Sequence, residues 1–489
     1  MKKLAGIIMC ILVVCVAYVA EGFLDYDSNR YIQHESDSAY TGCAECDRKE
    51  LCTNLPIVKI DTDEAIPGKA YRDPYTNLKK FEKSKDGKDE IEGRIRIIDN
   101  GNANNHESDE ASEKSRMMIH VRGNSSRYFD KSGYALKLID KDGKKNDVAV
   151  MGMKAHHDWA LHGPFLDKTL MRNYLWYNVA GQIMDYAPNV RFCEVFVNGE
   201  YKGVYVMEET ITAGEDGARL NLSVDESNQT YSGYVLRLDR GADTQIKNIE
   251  PFSRYTYRTK QKLNIVYPGT GSLTPKIAES IEQDFSDFEK ALYSYDYDDE
   301  KHGYKSLIDV ESFVDFFIIN EFTQNYDAGW LSTYIYKDND GRYRMCIWDF
   351  NSADDCYVHK VKIDEFEMHE AVWFNMLIKD EDFVEAVIAR YRELRNGVLS
   401  EDNLYSNIDA IQTYLGGAID RNYDVWGYSF NEEKDYLKPA SRNPRNYSHA
   451  IKFMKAHIHK RGIWLDENIE SLRQYSAESK VKKFNANAN

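Results

Sequence analysis

Two aspartates, Asp327 and Asp349, stand where a pair of carboxylates could act together. Between them, residues 331–337 and 342–348 read as strands around the turn Asp338-Asn339-Asp340-Gly341, and a hairpin brings its two ends side by side. With Asn325, Asn351 and Ser332 the pair offers the hard oxygen ligands that Mg2+ prefers. A single aspartate in so acidic a chain is ordinarily just a solvated turn residue; two flanking one hairpin make a candidate metal site. Lys137 is a second element. In Gly133-Tyr134-Ala135-Leu136-Lys137-Leu138-Ile139, alternation puts it on a sheet face with Ala135 and Ile139. An ammonium there needs an anionic partner, the plainer alternative being a lysine that snorkels at a sheet edge. The third element is the loop Arg122-Gly123-Asn124-Ser125-Ser126, able to aim backbone N–H groups and a guanidinium at phosphate oxygens.

Other clusters compete for a role. His156, His157 and His162, with Asp158, raise metal-dependent hydrolysis, but they lack two histidines one helical turn apart around a glutamate. Neither a Gly-x-Ser-x-Gly elbow nor a full P-loop occurs. Cys43, Cys46 and Cys52 lie close together, and with His34 their spacing allows a Cys3His zinc site. A local disulfide or plain thiols are the favoured expectation for so short and polar a segment.

These groups need a scaffold. Strands are expected from residue 55, at 95–98, 117–121 and 134–139, with 99–115 an exposed loop. A helix is expected over 167–184, capped by Asp167. Asn198-Gly199 between apolar runs marks a tight hairpin of 194–197 with 201–207. The layout is α+β: a mainly antiparallel sheet with one helix laid on it, then a mostly helical second half. In that half Thr274-Pro275 open a helix with Ile277, Ile281, Phe285, Phe288 and Leu292 on one face, and Asp309 caps another. Further helices are expected at 361–378, 381–396, 402–415 and 446–473.

Composition narrows the partners. The 489 residues carry 63 Lys+Arg against 80 Asp+Glu, a formal net charge of −17. That argues against nucleic acid, whose sequence-independent binding needs a basic face. Lys2-Lys3, the apolar run over residues 4–20 and small residues at Ala20 and Gly22 read as a secretory signal over residues 1–22. An uncleaved anchor is the competitor, so export is expected, with membrane contact only through that segment. Residues 23–54 read as a linker carrying the cysteine cluster, and 476–489 as a polar tail.

Glycine-containing loop, strand lysine, helix, two strands, helices, loop Asp, hairpin, Asp-Phe: this is the order of parts in a protein kinase. At these residues the chain resembles the CotH-type (spore coat protein H) atypical protein kinases. The likeness rests on Leu55-Pro56, Arg122-Gly123-Asn124-Ser125-Ser126, Lys131 with Tyr134-Ala135-Leu136-Lys137-Leu138, and Asp167-Lys168-Thr169-Leu170-Met171-Arg172-Asn173. It continues through Val195-Phe196-Val197-Asn198-Gly199, Gly203-Val204-Tyr205-Val206-Met207-Glu208, Asn325-Tyr326-Asp327 and Trp348-Asp349-Phe350, covering about residues 55–472.

The resemblance implies a two-lobed, protein-kinase-like fold, with an N-terminal lobe over 55–209 and a helical lobe over 210–475. It implies an exported kinase that uses ATP and Mg2+ (or Mn2+) to phosphorylate Ser or Thr hydroxyls of envelope or surface proteins. Asp327 would be the catalytic Asp, Lys137 would contact ATP phosphates, and Arg122, Gly123, Asn124 and Ser125 would form a reduced phosphate loop. Met207, Glu208 and Glu209 would be the hinge beside adenine, and Asp349 the main metal ligand, with Asn351 and Ser332 near it. The chain departs from the pattern in three places. Asn351 stands where the family usually has a second Asp, Ser332 where typical kinases place an Asn ligand, and no Glu lies in the middle of the 167–184 helix. Asp167, Glu194 and Glu208 are left as possible partners for Lys137. Two alternatives stay open: an inactive surface adhesin or scaffold of the same fold, and transfer of AMP in place of phosphate.

Overall fold

The computed structural model describes residues 30–36, 43, 46, 50–101, 103–241, 245–250, 252, 259–356, 361–431 and 443–476. The expected signal over 1–22, much of the 23–54 linker and the tail beyond Ser476 lie outside the described residues. Arg30, Tyr31 and Ile32 belong to a separate N-terminal unit; the description below concerns the unit Gln33–Asn489.

In chain order this unit begins with the short helix α1 (Gln33–Ser36), β1 (Cys52–Thr53), β2 (Ile57–Thr62), β3 (Ile91–Ile98), β4 (Asn105–His106), β5 (Glu113–Val121), β6 (Tyr134–Ile139) and β7 (Asp158–His162). Helix α2 (Arg172–Ala180) follows, then β8 (Val190–Val197) and β9 (Glu200–Glu209). The expected sheet is in fact a closed barrel in the order β7-β9-β8-β2-β3-β5-β6. Two pairings close it: β6 against β7, with Lys137 opposite Asp158, and a parallel pairing of β2 with β8, with Ile57 opposite Glu194. Alternate residues such as Ile60, Ile95, Ile119, Leu136, Leu161 and Met207 fill the interior. Asn198 and Gly199 both have positive φ (50° and 78°), the conformation that the expected two-residue hairpin requires.

Helix α2 starts five residues later than its sequence pattern suggests. The Asp167 carboxylate accepts the Thr169 and Arg172 N–H groups and pairs with the Arg172 guanidinium at 2.5 Å. Leu170 has a φ of 65°, which keeps the helix from starting earlier. All of α2 is buried, packed on the outer face of β8 and β9 through Phe192, Val204 and Val206. The expected linker is partly tied down: the Gln33 amide of α1 donates to the Phe192 carbonyl at 3.2 Å and accepts its N–H at 2.8 Å. The loop expected over 99–115 contains β4, which pairs with β1.

The second half is less helical than expected. Strands β10 (Tyr234–Asp239), β11 (Asn248–Ile249), β12 (Lys262–Tyr267), β13 (Thr333–Lys337) and β14 (Tyr343–Cys346) form a sheet in the order β11-β12-β10-β13-β14. The first three went unpredicted: both faces of β10 and the middle of β12 are covered, which erases the alternating signal, and β11 has only two residues. Around the sheet lie α3 (Pro275–Leu292), capped by Thr274, and α4 (Val310–Thr323), capped by Asp309. Then come α5 (Glu381–Arg395), α6 (Glu401–Leu415), α7 (Gly417–Trp426) and α8 (Tyr447–Asn468). The helix expected over 361–378 is reduced to the 3-10 turn Met368–Glu370 and the short helix Phe374–Leu377, separated by Trp373 at a φ of 70°. The largest apolar core runs from Leu55 and α2 through the sheet to α8, across the expected boundary at 209/210. No described helix is long and apolar enough to cross a membrane.

Candidate functional site

The site forms at one end of the second sheet. Leu238 pairs with Thr333, and Tyr334 with Cys346, so the exit of β10, the entry of β13 and the exit of β14 lie side by side. Those three chain ends carry Asp239, Asp327 and Asp349. Burial, and then the charge of Asp349, push the Asp327 carboxyl up to about 6, with Asp239 adding to the effect and Arg240 opposing it. The Asp349 carboxyl is also raised, chiefly by burial and further by Asp239, against the pull of Arg122 and the Asn351 N–H. Among the described residues nothing donates a hydrogen bond to the Asp327 carboxylate. The expected convergence of Asp327 and Asp349 is therefore present, and Asp239 joins them unpredicted.

The acids are held by a small set of buried polar contacts. The Asn325 amide donates to the Asp349 carbonyl at 3.2 Å and accepts from the Ser352 hydroxyl at 3.2 Å. Asp349 sits at a φ of 59°, a conformation more tolerable to Asp than to most residues, and its N–H donates to the Tyr177 hydroxyl at 3.1 Å. The Phe350 N–H donates to Asn173 Oδ1 at 2.9 Å. Asn173 and Tyr177 are one turn apart on α2, so one helix face fixes the whole Asp349-Phe350 corner. Asn173 also donates to Glu208 Oε1 at 2.7 Å, tying that corner to the barrel.

On the barrel side, Arg122 pairs with Glu208 at 3.5 Å and lays its guanidinium 5.1 Å from the Trp348 ring centroid. Burial pushes the Glu208 carboxyl up to about 7; Arg122 and Asn173 oppose this, and Asp349 adds to it. Of the three expected hinge residues, Glu209 pairs with Arg219 at 2.9 Å, and Met207 and Glu208 part company. Met207 points into the barrel and is 1% exposed, so its side chain cannot border a nucleotide. Glu208, its neighbour on a strand, turns to the outer face and anchors Arg122.

Lys137 is exposed on the outer barrel face. Leu136 and Leu138 point inward beside it, and its cross-strand neighbour is Asp158. Its charge reaches Lys247, which also feels Arg237 and Asp158. None of the three acids considered as its partner holds it: Asp167 pairs with Arg172, Glu194 with Arg421 at 2.7 Å, and Glu208 with Arg122. Of the three, Glu208 pairs with a residue of the glycine loop, Arg122.

In the loop, Gly123 has a φ of 101°, and a Cβ there would meet Ser126 Oγ at 2.0 Å, so glycine is required. The Asn124 carbonyl accepts from Lys79 Nζ at 2.9 Å, and Ser125 begins the 3-10 turn Ser125–Tyr128. Burial and the charges of Arg127, Arg240 and Arg72 lower the Lys79 ammonium, so four cations gather by this loop. Lys79 was missed because nothing in its local sequence marks it. Ser332, at a φ of 49°, follows the register to a place beside Asp239. The Asn351 N–H donates to Asp349 Oδ1 at 3.2 Å. The histidine cluster is occupied with local bonds: His156 Nδ1 accepts the Asp158 N–H at 2.9 Å, and His157 Nδ1 lies 2.7 Å from Asp147 Oδ1.

Carboxylates close enough that Asp349 and Asp239 both raise Asp327, which lacks donors among the described residues, are an oxygen set a divalent cation would satisfy. Cations beside a glycine loop suit phosphate. Together they are the chemistry of a phosphotransferase. The family model described as CotH kinase protein matches residues 119–465, more than half of the chain and a span that contains Arg122, Lys137, Glu208, Asp239, Asp327 and Asp349. The chain belongs to the CotH kinase family, which implies kinase activity and suggests ATP with a divalent metal. No curated protein was found to match it.

Proposed function

We propose that the protein is an exported protein kinase that transfers phosphate from ATP to Ser or Thr hydroxyls of envelope or surface proteins, with the barrel and the helical half acting as its two lobes. The observation that carries the reading is the meeting of Asp239, Asp327 and Asp349 at one sheet end, facing the Arg122–Glu208 pair. Bound Mg2+-ATP would supply the phosphoryl group and neutralise charge on it. Asp349 and Asp239 would hold the cation, with Asn351 and Ser332 beside them. Arg122, fixed by Glu208 and Trp348, would hold phosphate oxygens, and the Gly123 loop would add N–H donors. Asp327, raised to about 6, is still ionised near neutrality and well matched to orient an acceptor hydroxyl and take its proton. Positioning and charge complementarity would then provide most of the acceleration.

The test is transfer of γ-labelled phosphate to the chain itself or to casein with Mg2+ or Mn2+, compared with Asp327→Ala and Asp349→Ala. Label that depends on both aspartates is the expected result. Label that survives both changes, or ATP-dependent stabilisation without any transfer, would sink the reading in favour of another site or an inactive scaffold. An intact-mass gain equal to AMP would instead establish nucleotide transfer.

A further inference from the structure

Outside the family-matched span, the geometry points to a structural zinc site formed by Cys43, Cys46, Cys52 and His106. Each presents one ligand atom, and the four atoms all lie within 4.8 Å of one another. A tetrahedral Cys3His site with Zn–S bonds of about 2.3 Å has edges of about 3.8 Å, so small adjustments close it. Cys43 and Cys46 form a tight knuckle, with the Cys46 thiol 3.5 Å from the Cys43 carbonyl. Cys52 and His106 are directly opposite in the β1–β4 ladder, which places the second pair of ligands by register.

The histidine is prepared for a metal. Its Nδ1 lies 3.3 Å from Asp109 Oδ2, and the same carboxylate accepts the His106 N–H at 2.9 Å and the Asn100 amide at 2.7 Å. An Nδ1–H donated to Asp109 leaves Nε2 as the lone-pair nitrogen, the usual outer arrangement of a zinc-bound imidazole. That Nε2 is buried, and the group it faces is the Cys43 thiol, its hydrogen-bonding and electrostatic neighbour. His34, the fourth ligand that the spacing alone suggested, is used elsewhere: Nδ1 lies 3.0 Å from the Tyr174 hydroxyl and Nε2 3.3 Å from Asn407 Oδ1.

A disulfide accounts for this cluster poorly. Two sulfurs would be consumed, leaving the third and the oriented imidazole without a task, whereas four ligands in one closed set match structural zinc. The site also has work to do. A two-residue ladder is too short to hold β1 to β4, and a metal would clip the cysteine segment to the loop between β3 and β5. Binding converts Zn2+, three thiols and one neutral imidazole into a complex of net charge −1 and releases three protons. The proposal is independent of phosphotransfer.

Purified full-length chain, reduced and supplied with Zn2+, should retain one zinc per chain by elemental mass spectrometry. Replacement by Co2+ should give thiolate charge-transfer and tetrahedral d–d absorption. Cys46→Ser and His106→Gln should lose zinc or shift the cobalt spectrum, and His34→Gln should change neither. If the ligand variants fail to fold, titrating the unaltered chain with a mercurial should release one zinc as the three thiols are consumed. A reduced chain that takes up no zinc, or a Cys46→Ser chain that keeps zinc and an unchanged cobalt spectrum, overturns the assignment.

Discussion

Asp327→Asn should make the metal-free chain more stable while abolishing phosphate transfer. The Asp327 carboxyl has an ordinary value of 3.8 and is raised to about 6, mainly by burial and then by Asp349. At neutral pH, holding it ionised costs roughly 2–3 kcal/mol. The folded state binds this proton more tightly than the unfolded chain does. Stability is therefore higher below about pH 4 and falls as pH rises towards about 6, and the full penalty persists above that. Asparagine keeps the shape and removes the charge, so the variant should match the parent near pH 4 and exceed it at pH 7.5. For a chain of this size, about 1 °C accompanies each kcal/mol, which gives a gain of roughly 2–3 °C in Tm. Mg2+ should reverse the order, because a cation bound only by the folded parent stabilises it by mass action. Differential scanning fluorimetry at pH 4 and 7.5, in EDTA and in Mg2+, reads all four states. A variant less stable than its parent at pH 7.5 in EDTA, or a gap that does not change with pH, would refute the electrostatic argument.

Three further changes separate positioning from folding. Asn173→Ala removes the amide that bonds both Glu208 and the Phe350 N–H in a site 4% exposed; urea unfolding should show a loss of about 2–4 kcal/mol, and less than 0.5 would contradict the coupling. Glu208→Gln leaves Arg122 without its ionic anchor, so kcat/KM for ATP should fall by about tenfold or more, with little effect if Arg122 is placed by Trp348 alone. Gly123→Ala forces a Cβ onto Ser126 Oγ at a φ of 101°; ATP affinity by calorimetry should drop while Tm moves by only a few degrees, and unaltered affinity would remove the loop from the site.

Local signals in the sequence were reliable where the chemistry is local. Asn198-Gly199, the Thr274 and Asp309 caps, and the hairpin joining Asp327 to Asp349 all appear as expected. What escaped is non-local. Barrel closure depends on β2 lying parallel to β8, a pairing between strands far apart in the chain that leaves no mark on either. Asp239 was missed with β10, whose burial on both faces hides its period. Helix α7 was not expected either: it starts two residues after α6 ends at Leu415, with the chain turning at Gly416, φ 45°. Exchanging His34 for His106 among the cysteines required the β1–β4 register, which spacing along the chain does not contain.

The acid excess of the whole chain makes the local arrangement of charge more informative. Against a formal net charge of −17, Arg127, Arg240 and Arg72 stand close enough to lower the Lys79 ammonium, and Arg237 and Lys137 close enough to lower that of Lys247. Like charges disfavour one another unless ion pairs or a ligand offset them. Among the acids, Asp349 and Asp239 raise Asp327, and Asp239 raises Asp349. The two sets meet at Asp239, which pairs with Arg240 at 3.3 Å and with Arg237 at 3.7 Å. A metal–polyphosphate ligand would serve both sets, its cation satisfying the carboxylates and its phosphates the bases. Substituting Lys137 alone should therefore weaken ATP binding only modestly, because Arg122 and the other cations share the load, whereas losing Asp349 removes one of the two proposed cation ligands.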